Sequence, residues 1–96
     1  MITTKQRAML RSMANGMETI LQVGKGGITD ATVTQVEDAL TARELIKLRV
    51  LETSPITSRE VAQQLAERCR ADIVQVIGTR FVLFRRNHEK PKIELK

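Results

Sequence analysis

The densest chemistry in the sequence is the run Gly24-Lys25-Gly26-Gly27, three glycines in four positions around one lysine. Glycines remove the side chains that would keep a phosphate backbone at a distance, and Lys25 brings an ammonium to the same point. The run precedes Thr29-Asp30, either of which can cap a helix, so the unpaired amides of that helix would add to an anion site. Neither standard nucleotide pattern is met. A Walker loop ends in Gly-Lys-Ser/Thr, whereas Lys25 follows the first glycine and no Ser or Thr comes after it. A dinucleotide fingerprint needs a glycine where Thr29 stands. What is met is the Gly-x-x-Gly form that clamps single-stranded backbone in KH modules. The same four residues would also serve as a plain tight turn.

Basic residues supply the candidate companions. Arg7 and Arg11, four apart, share one face of a helix, and Lys47 and Arg49, two apart, share one side of a strand. Arg80, Arg85 and Arg86 lie at or just beyond a hairpin. The RNA-binding set read from the residues is therefore Gly24, Lys25, Gly26 and Gly27 with Arg7, Arg11, Lys47, Arg49, Arg80, Arg85 and Arg86. Phe81 and Phe84 are the only aromatics, and both read as packing. Recognition is then expected to rest on backbone and shape more than on base stacking.

Catalytic chemistry finds little to stand on. Cys69 is the only cysteine, which excludes an internal disulfide and a cysteine zinc cluster, and His88 has no second histidine to pair with. Asp30, Glu44 and Asp72 are scattered carboxylates for which capping or surface roles suffice. The expectation is no catalytic residue, no metal and no cofactor. The competing classes are a protein-interaction module without RNA contact, using the acidic face around Glu37 and Asp38, and, behind it, a small enzyme.

The elements that must position these residues follow from hydrophobic spacing. Thr4 to Ala14 reads as a helix with Met9, Leu10, Met13 and Ala14 on one stripe, stopped by Asn15-Gly16. Thr19 to Val23 reads as a short strand. A second helix follows Thr29 or Asp30, burying Val33, Val36 and Leu40 and turning Glu37 and Asp38 to water. Glu44 to Leu51 alternates as a strand, with Leu45, Lys47, Arg49 and Leu51 on one side and Ile46, Leu48 and Val50 on the other. Thr57-Ser58-Arg59-Glu60 is a capping box for a third helix through Cys69, with Val61, Ala62, Leu65, Ala66 and Cys69 as its apolar face. Ile73 to Ile77 and Arg80 to Phe84 flank Gly78-Thr79, which suits a type II′ hairpin turn.

The order is thus α-β-α-β-α-β-β, an α/β domain with three helices on a four-stranded mixed sheet whose last pair is antiparallel. One apolar side is enough for the core and leaves the other sheet face open. The domain is expected to span residues 1–86, with 87–96 as a basic mobile tail that Pro91 keeps from pairing.

Ninety-six residues allow one core, and no apolar run approaches the ~20 residues that cross a bilayer. The N-terminus lacks the apolar stretch of a secretory signal, so a cytoplasmic setting is expected; a monomer without membrane contact is the expectation for partners. The net charge of +5 is terminal: residues 1–17 carry three basic and no acidic side chains, and residues 78–96 carry six against two. A fold that joins the two ends would present a surface attractive to polyanions.

Three blocks of the chain together resemble a known family. They are Gln22-Val23-Gly24-Lys25-Gly26-Gly27-Ile28-Thr29, Glu44-Leu45-Ile46-Lys47, and Val74-Gln75-Val76-Ile77-Gly78-Thr79-Arg80-Phe81-Val82-Leu83-Phe84-Arg85. With the basic first helix they are similar to the bacterial stand-alone CRM-domain proteins, the YhbY-like RNA-binding family. The resemblance implies a fold similar to the C-terminal domain of a bacterial translation initiation factor. It also implies contact of Gly24 through Gly27 with RNA, Lys25 toward phosphate, and ribosomal RNA or a large-subunit precursor as partner during ribosome assembly. The chain departs from the family pattern at Gly16-Met17-Glu18, where proline is frequent, and at Phe84, where tyrosine is usual. Neither departure touches Gly24, Lys25 or Gly27.

Overall fold

Three threonines each begin a helix. The computed structural model describes residues 2–95, and in it Thr3, Thr29 and Thr57 are the N-caps of α1 (Thr4–Ala14), α2 (Asp30–Arg43) and α3 (Ser58–Cys69). Each threonine hydroxyl accepts from the amide three residues on, and the side chain of that residue, Gln6, Thr32 or Glu60, accepts from the cap amide in return. Two otherwise orphaned donors are satisfied at every helix start.

The strands are β1 (Leu21–Val23), β2 (Leu45–Val50), β3 (Asp72–Ile77) and β4 (Arg80–Phe84), and the sheet order is β1-β2-β4-β3. β1 and β2 are parallel, and the other two pairings are antiparallel. The α-β-α-β-α-β-β order and the mixed four-stranded sheet are those expected from the sequence. The β3–β4 turn has a positive φ of 56° at Gly78, the value a type II′ turn needs at its first central position.

The core differs from the expectation of a single apolar side. On one face Ile46, Leu48, Val50, Phe81 and Leu83 pack against Val36 and Leu40 of α2 and Val61, Leu65 and Cys69 of α3. On the other face a second cluster joins Leu45, Val74, Val82 and Phe84 to Ile2, Leu10 and Ala14 of the α1 region, with Ile93 and Leu95 against it. α1 is amphipathic and must bury its stripe somewhere, and the helices on the first face leave it no room. Met13, read as part of that stripe, is instead 43% exposed. Both phenylalanines are buried, so neither is a platform for bases. Cys69 is a buried hydrophobe; burial, with Glu37 nearby, pushes its thiol up to about 11.

The second helix ends in an unexpected way. Glu44, read as the first residue of a strand, is the C-cap of α2 at φ 64°, and among the described residues it is the one charged side chain fully buried. Its carboxylate accepts from the backbone amides of Asn87 and Ile93, each at 2.7 Å, and from that of Lys92. The segment expected to be a basic tail from Asn87 is therefore drawn back over the end of the sheet, with Arg86 Nη1 donating to the Ile93 carbonyl at 3.3 Å. Burial works against the ionised carboxyl of Glu44, but the three amides and Arg86 outweigh it and hold the group below the usual carboxylate range.

Candidate nucleic-acid interface

The glycine run lies where the chain leaves β1. Val23 is paired with Val50, and the Leu51 amide donates to the Val23 carbonyl, so the run and the Leu51–Pro55 loop emerge side by side at one end of the sheet. The Gly27 amide closes a turn onto the Gly24 carbonyl at 2.9 Å. Gly27 sits at φ +65°, where a side chain is strained, and a Cβ there would stand 3.4 Å from Pro55 Cγ. A Cβ on Gly24 would meet Leu51 Cδ1 at 3.2 Å. At the tip, Lys25 and Gly26 are exposed, with open space where a Gly26 Cβ would be. The outer two glycines thus seat the turn, and the tip is left clear for a ligand to approach the backbone.

The helix behind the turn contributes less than its sequence suggested. Thr29 and Thr32 satisfy two of the first amides of α2 reciprocally, and Asp30 places a carboxylate in the first turn, 3.5 Å from Arg68. The anion-binding capacity of this end rests on the turn and on Lys25.

Pairing of the strands gathers a row of side chains beside the turn. Gln22 is opposite Arg49, Arg49 is opposite Arg80, and Arg80 is opposite Ile77. Arg49 shares a face with Leu45, and Arg80 with Val82 and Phe84, so the row lies on the α1 side of the sheet, beyond the part that α1 covers. A bulge between the Ile73–Leu83 and Gln75–Val82 pairs lets Val74 enter the second core while Ile77 keeps its place in the row. Neither Gln22 nor Ile77 was singled out from the sequence, because cross-strand register is invisible along the chain.

The other basic candidates divide by what their side chains touch. Lys47 Nζ donates to the carbonyls of Ala14 at 3.2 Å and Met17 at 3.5 Å, closing the C-terminal end of α1. Arg7 Nε donates to the Ile73 carbonyl at 3.3 Å. Arg85 is held on all sides: Nη1 meets Glu37 Oε2 at 2.7 Å and the Cys69 carbonyl at 2.9 Å, and Nη2 meets the Glu37 carbonyl at 3.1 Å and Thr41 Oγ1 at 2.9 Å. Glu37 therefore does not simply face water as expected, and its hydrogen bond with Arg85 holds its carboxyl below the usual range. Arg86 stands at the far end of the sheet from the glycine turn, beside Glu44. Arg11 is exposed on α1. The structure brings Gly24, Lys25, Gly26, Gly27, Arg49 and Arg80 to one end and does not bring Arg85 and Arg86 there.

Among the described residues no three or more His, Cys, Asp or Glu side chains group where a metal ion could be held, and no helix is long and apolar enough to cross a membrane.

Comparison with known proteins points the same way as the fold. The chain matches the CRS1 / YhbY (CRM) domain over residues 2–85. It is 43% identical over 95 residues to the "Probable RNA-binding protein YqeI" of Bacillus subtilis, covering 99% of each chain. It is 31% identical to an "RNA-binding protein" of Haemophilus influenzae, covering 98% of this chain and 94% of that one. The solution structure of the hypothetical protein SAV1595 from Staphylococcus aureus superposes with a TM-score of 0.83 over the whole of both chains, at 43% identity.

Proposed function

The chain belongs to the CRS1 / YhbY (CRM) domain family, and from that premise we propose that it binds RNA through the glycine turn and the arginines beside it. The carrying observation is the convergence of a turn with an open tip, Lys25 on that tip, and Arg49 and Arg80 on the adjoining sheet. Phosphates would lie along Lys25 and these arginines, with the backbone amides of Lys25 and Gly26 at the open tip close enough to donate. The partner we propose is ribosomal RNA or a large-subunit precursor, met in the cytoplasm by a monomer, without metal or cofactor. The relatives' names, which speak of RNA binding, support the general activity. An acidic docking face is disfavoured because Glu37 is bound to Arg85, leaving Asp38 without its neighbour.

Crosslinking in cells, followed by sequencing of the bound RNA, tests the partner. Enrichment of large-subunit ribosomal RNA is expected, and recovery of no RNA above a control protein would refute the proposal. In solution the affinity should fall steeply with salt. Three cations on phosphate give a slope of about −2 in log affinity against log salt concentration, at ~0.7 per contact to single-stranded RNA. A flat dependence between low and physiological salt would contradict phosphate contact.

A further inference from the structure

The row Gln22–Arg49–Arg80–Ile77 crosses all four strands, a span of roughly 14 Å at the usual strand spacing. Its centre is electrostatically unfavourable. Like charges directly opposite one another on paired strands destabilise a sheet, and Arg49 and Arg80 are so placed. Among the described residues there are two ion pairs, Arg68–Asp30 and Arg85–Glu37, and neither relieves these arginines. An anion seated between them would.

The apolar end of the row is as unusual. Ile77 is 65% exposed, and it borders a hollow of about 140 Å³ formed with Asn15, Lys47, Gln75, Arg80 and Val82. The hollow combines apolar surface with two carboxamides, each able both to donate and to accept, and with Arg80 in its lining. That is the chemistry of a nucleotide: a flat ring with a donor and acceptor edge, tethered to a phosphate. Gln22 is two residues from Gly24, so a strand held on the glycine turn passes directly onto the row.

We propose that this row and hollow seat one unpaired nucleotide of the bound RNA, its base against Ile77 and its phosphate between Arg49 and Arg80. The inference rests on the RNA-binding reading of the neighbouring turn and adds a preference to it. A base held in a duplex is stacked and paired and could not enter, so the protein should favour single-stranded RNA or an unpaired loop.

The test uses a short fluorescent single-stranded RNA and the same strand annealed to its complement, with anisotropy titrations of the full chain. The parent should bind the single strand about tenfold more tightly than the duplex, the scale of a base covering about 60 Å² of apolar surface on an aliphatic side chain. Ile77→Thr, which keeps a β-branched residue on an exposed site but loses apolar contact area, should weaken single-strand binding about fivefold and leave the duplex unchanged. Arg49→Gln combined with Arg80→Gln should weaken single-strand binding at least about tenfold. Arg80→Gln alone should melt at or above the parent temperature, because it removes the repulsion.

Equal affinity of the parent for single strand and duplex would overturn the proposal, as would unchanged single-strand binding by Ile77→Thr and the double variant. Lys25→Ala separates the two readings. If it weakens binding to both RNAs while the row variants do nothing, the row is at fault and the turn stands. If it too is silent, both fall.

Discussion

Replacing Glu44 with alanine is expected to lower the unfolding free energy by about 3 kcal/mol, the scale of two charge-assisted hydrogen bonds lost. Three backbone amides converge on this carboxylate, from Asn87, Lys92 and Ile93. Without it they would either stay buried and unpaired or leave for water, taking Ile93 and Leu95 from the second core. Release limits the loss, so the full sum of three bonds is not expected. Glu44→Gly would relieve the positive φ of 64°, worth about 1 kcal/mol, yet would forfeit the same clasp. It should fall between parent and alanine variant.

The pH dependence has a definite sign. Glu44 and Glu37 both have folded-state pKa values lowered below those of the unfolded chain, so their stabilisation is fully present above the ordinary carboxylate pKa of about 4.3 and is lost as pH falls through and below it. Hydrogen exchange should show the Ile93 amide protected at neutral pH and released in acid or in Glu44→Ala. Urea melts of the variant within experimental scatter of the parent, with unchanged exchange at Ile93, would refute the clasp.

Replacing Arg85 with alanine should cost about 2 kcal/mol of stability while leaving the RNA affinity of the folded protein within about twofold. The guanidinium joins α2 to the end of α3, donating to the Glu37 carboxylate and carbonyl, to Thr41 and to the Cys69 carbonyl. Its side chain is 22% exposed and that of Glu37 40%, so water screens the ion pair and most of the loss comes from the Cys69 carbonyl left without a donor. Arg85→Lys, with one ammonium, cannot reproduce the fork and should recover little. A strong loss of RNA binding at unchanged stability would instead place Arg85 on the interface.

The helices and strands were legible because their signals are local. Capping threonines, the Val61–Cys69 stripe and the alternation through Leu45–Val50 each lie within one element. The glycine run was legible for the same reason. What escaped depends on residues far apart in the chain. Glutamate rarely adopts positive φ, so Glu44 looked like the start of a strand, and Ile93 and Leu95 are too sparse in a polar segment to announce that they pack. Charge along the chain shows where arginines are but not whether a carbonyl or a carboxylate meets them, which is why Arg7, Lys47 and Arg85 could not be told from Arg49 and Arg80.

Binding of a large-subunit ribosomal RNA fragment by Lys25→Ala and Gly27→Asp, each with a melting curve, tests whether the glycine turn holds RNA. Lys25 is exposed at the tip and carries no structural bond, so Lys25→Ala should melt with the parent and bind about fivefold more weakly, or ~1 kcal/mol. Gly27→Asp should bind more weakly still, since it sets a carboxylate against phosphate and forces a side chain into φ +65° beside Pro55. If both variants stay folded and hold the RNA as tightly as the parent, the run is only a turn and RNA binds elsewhere.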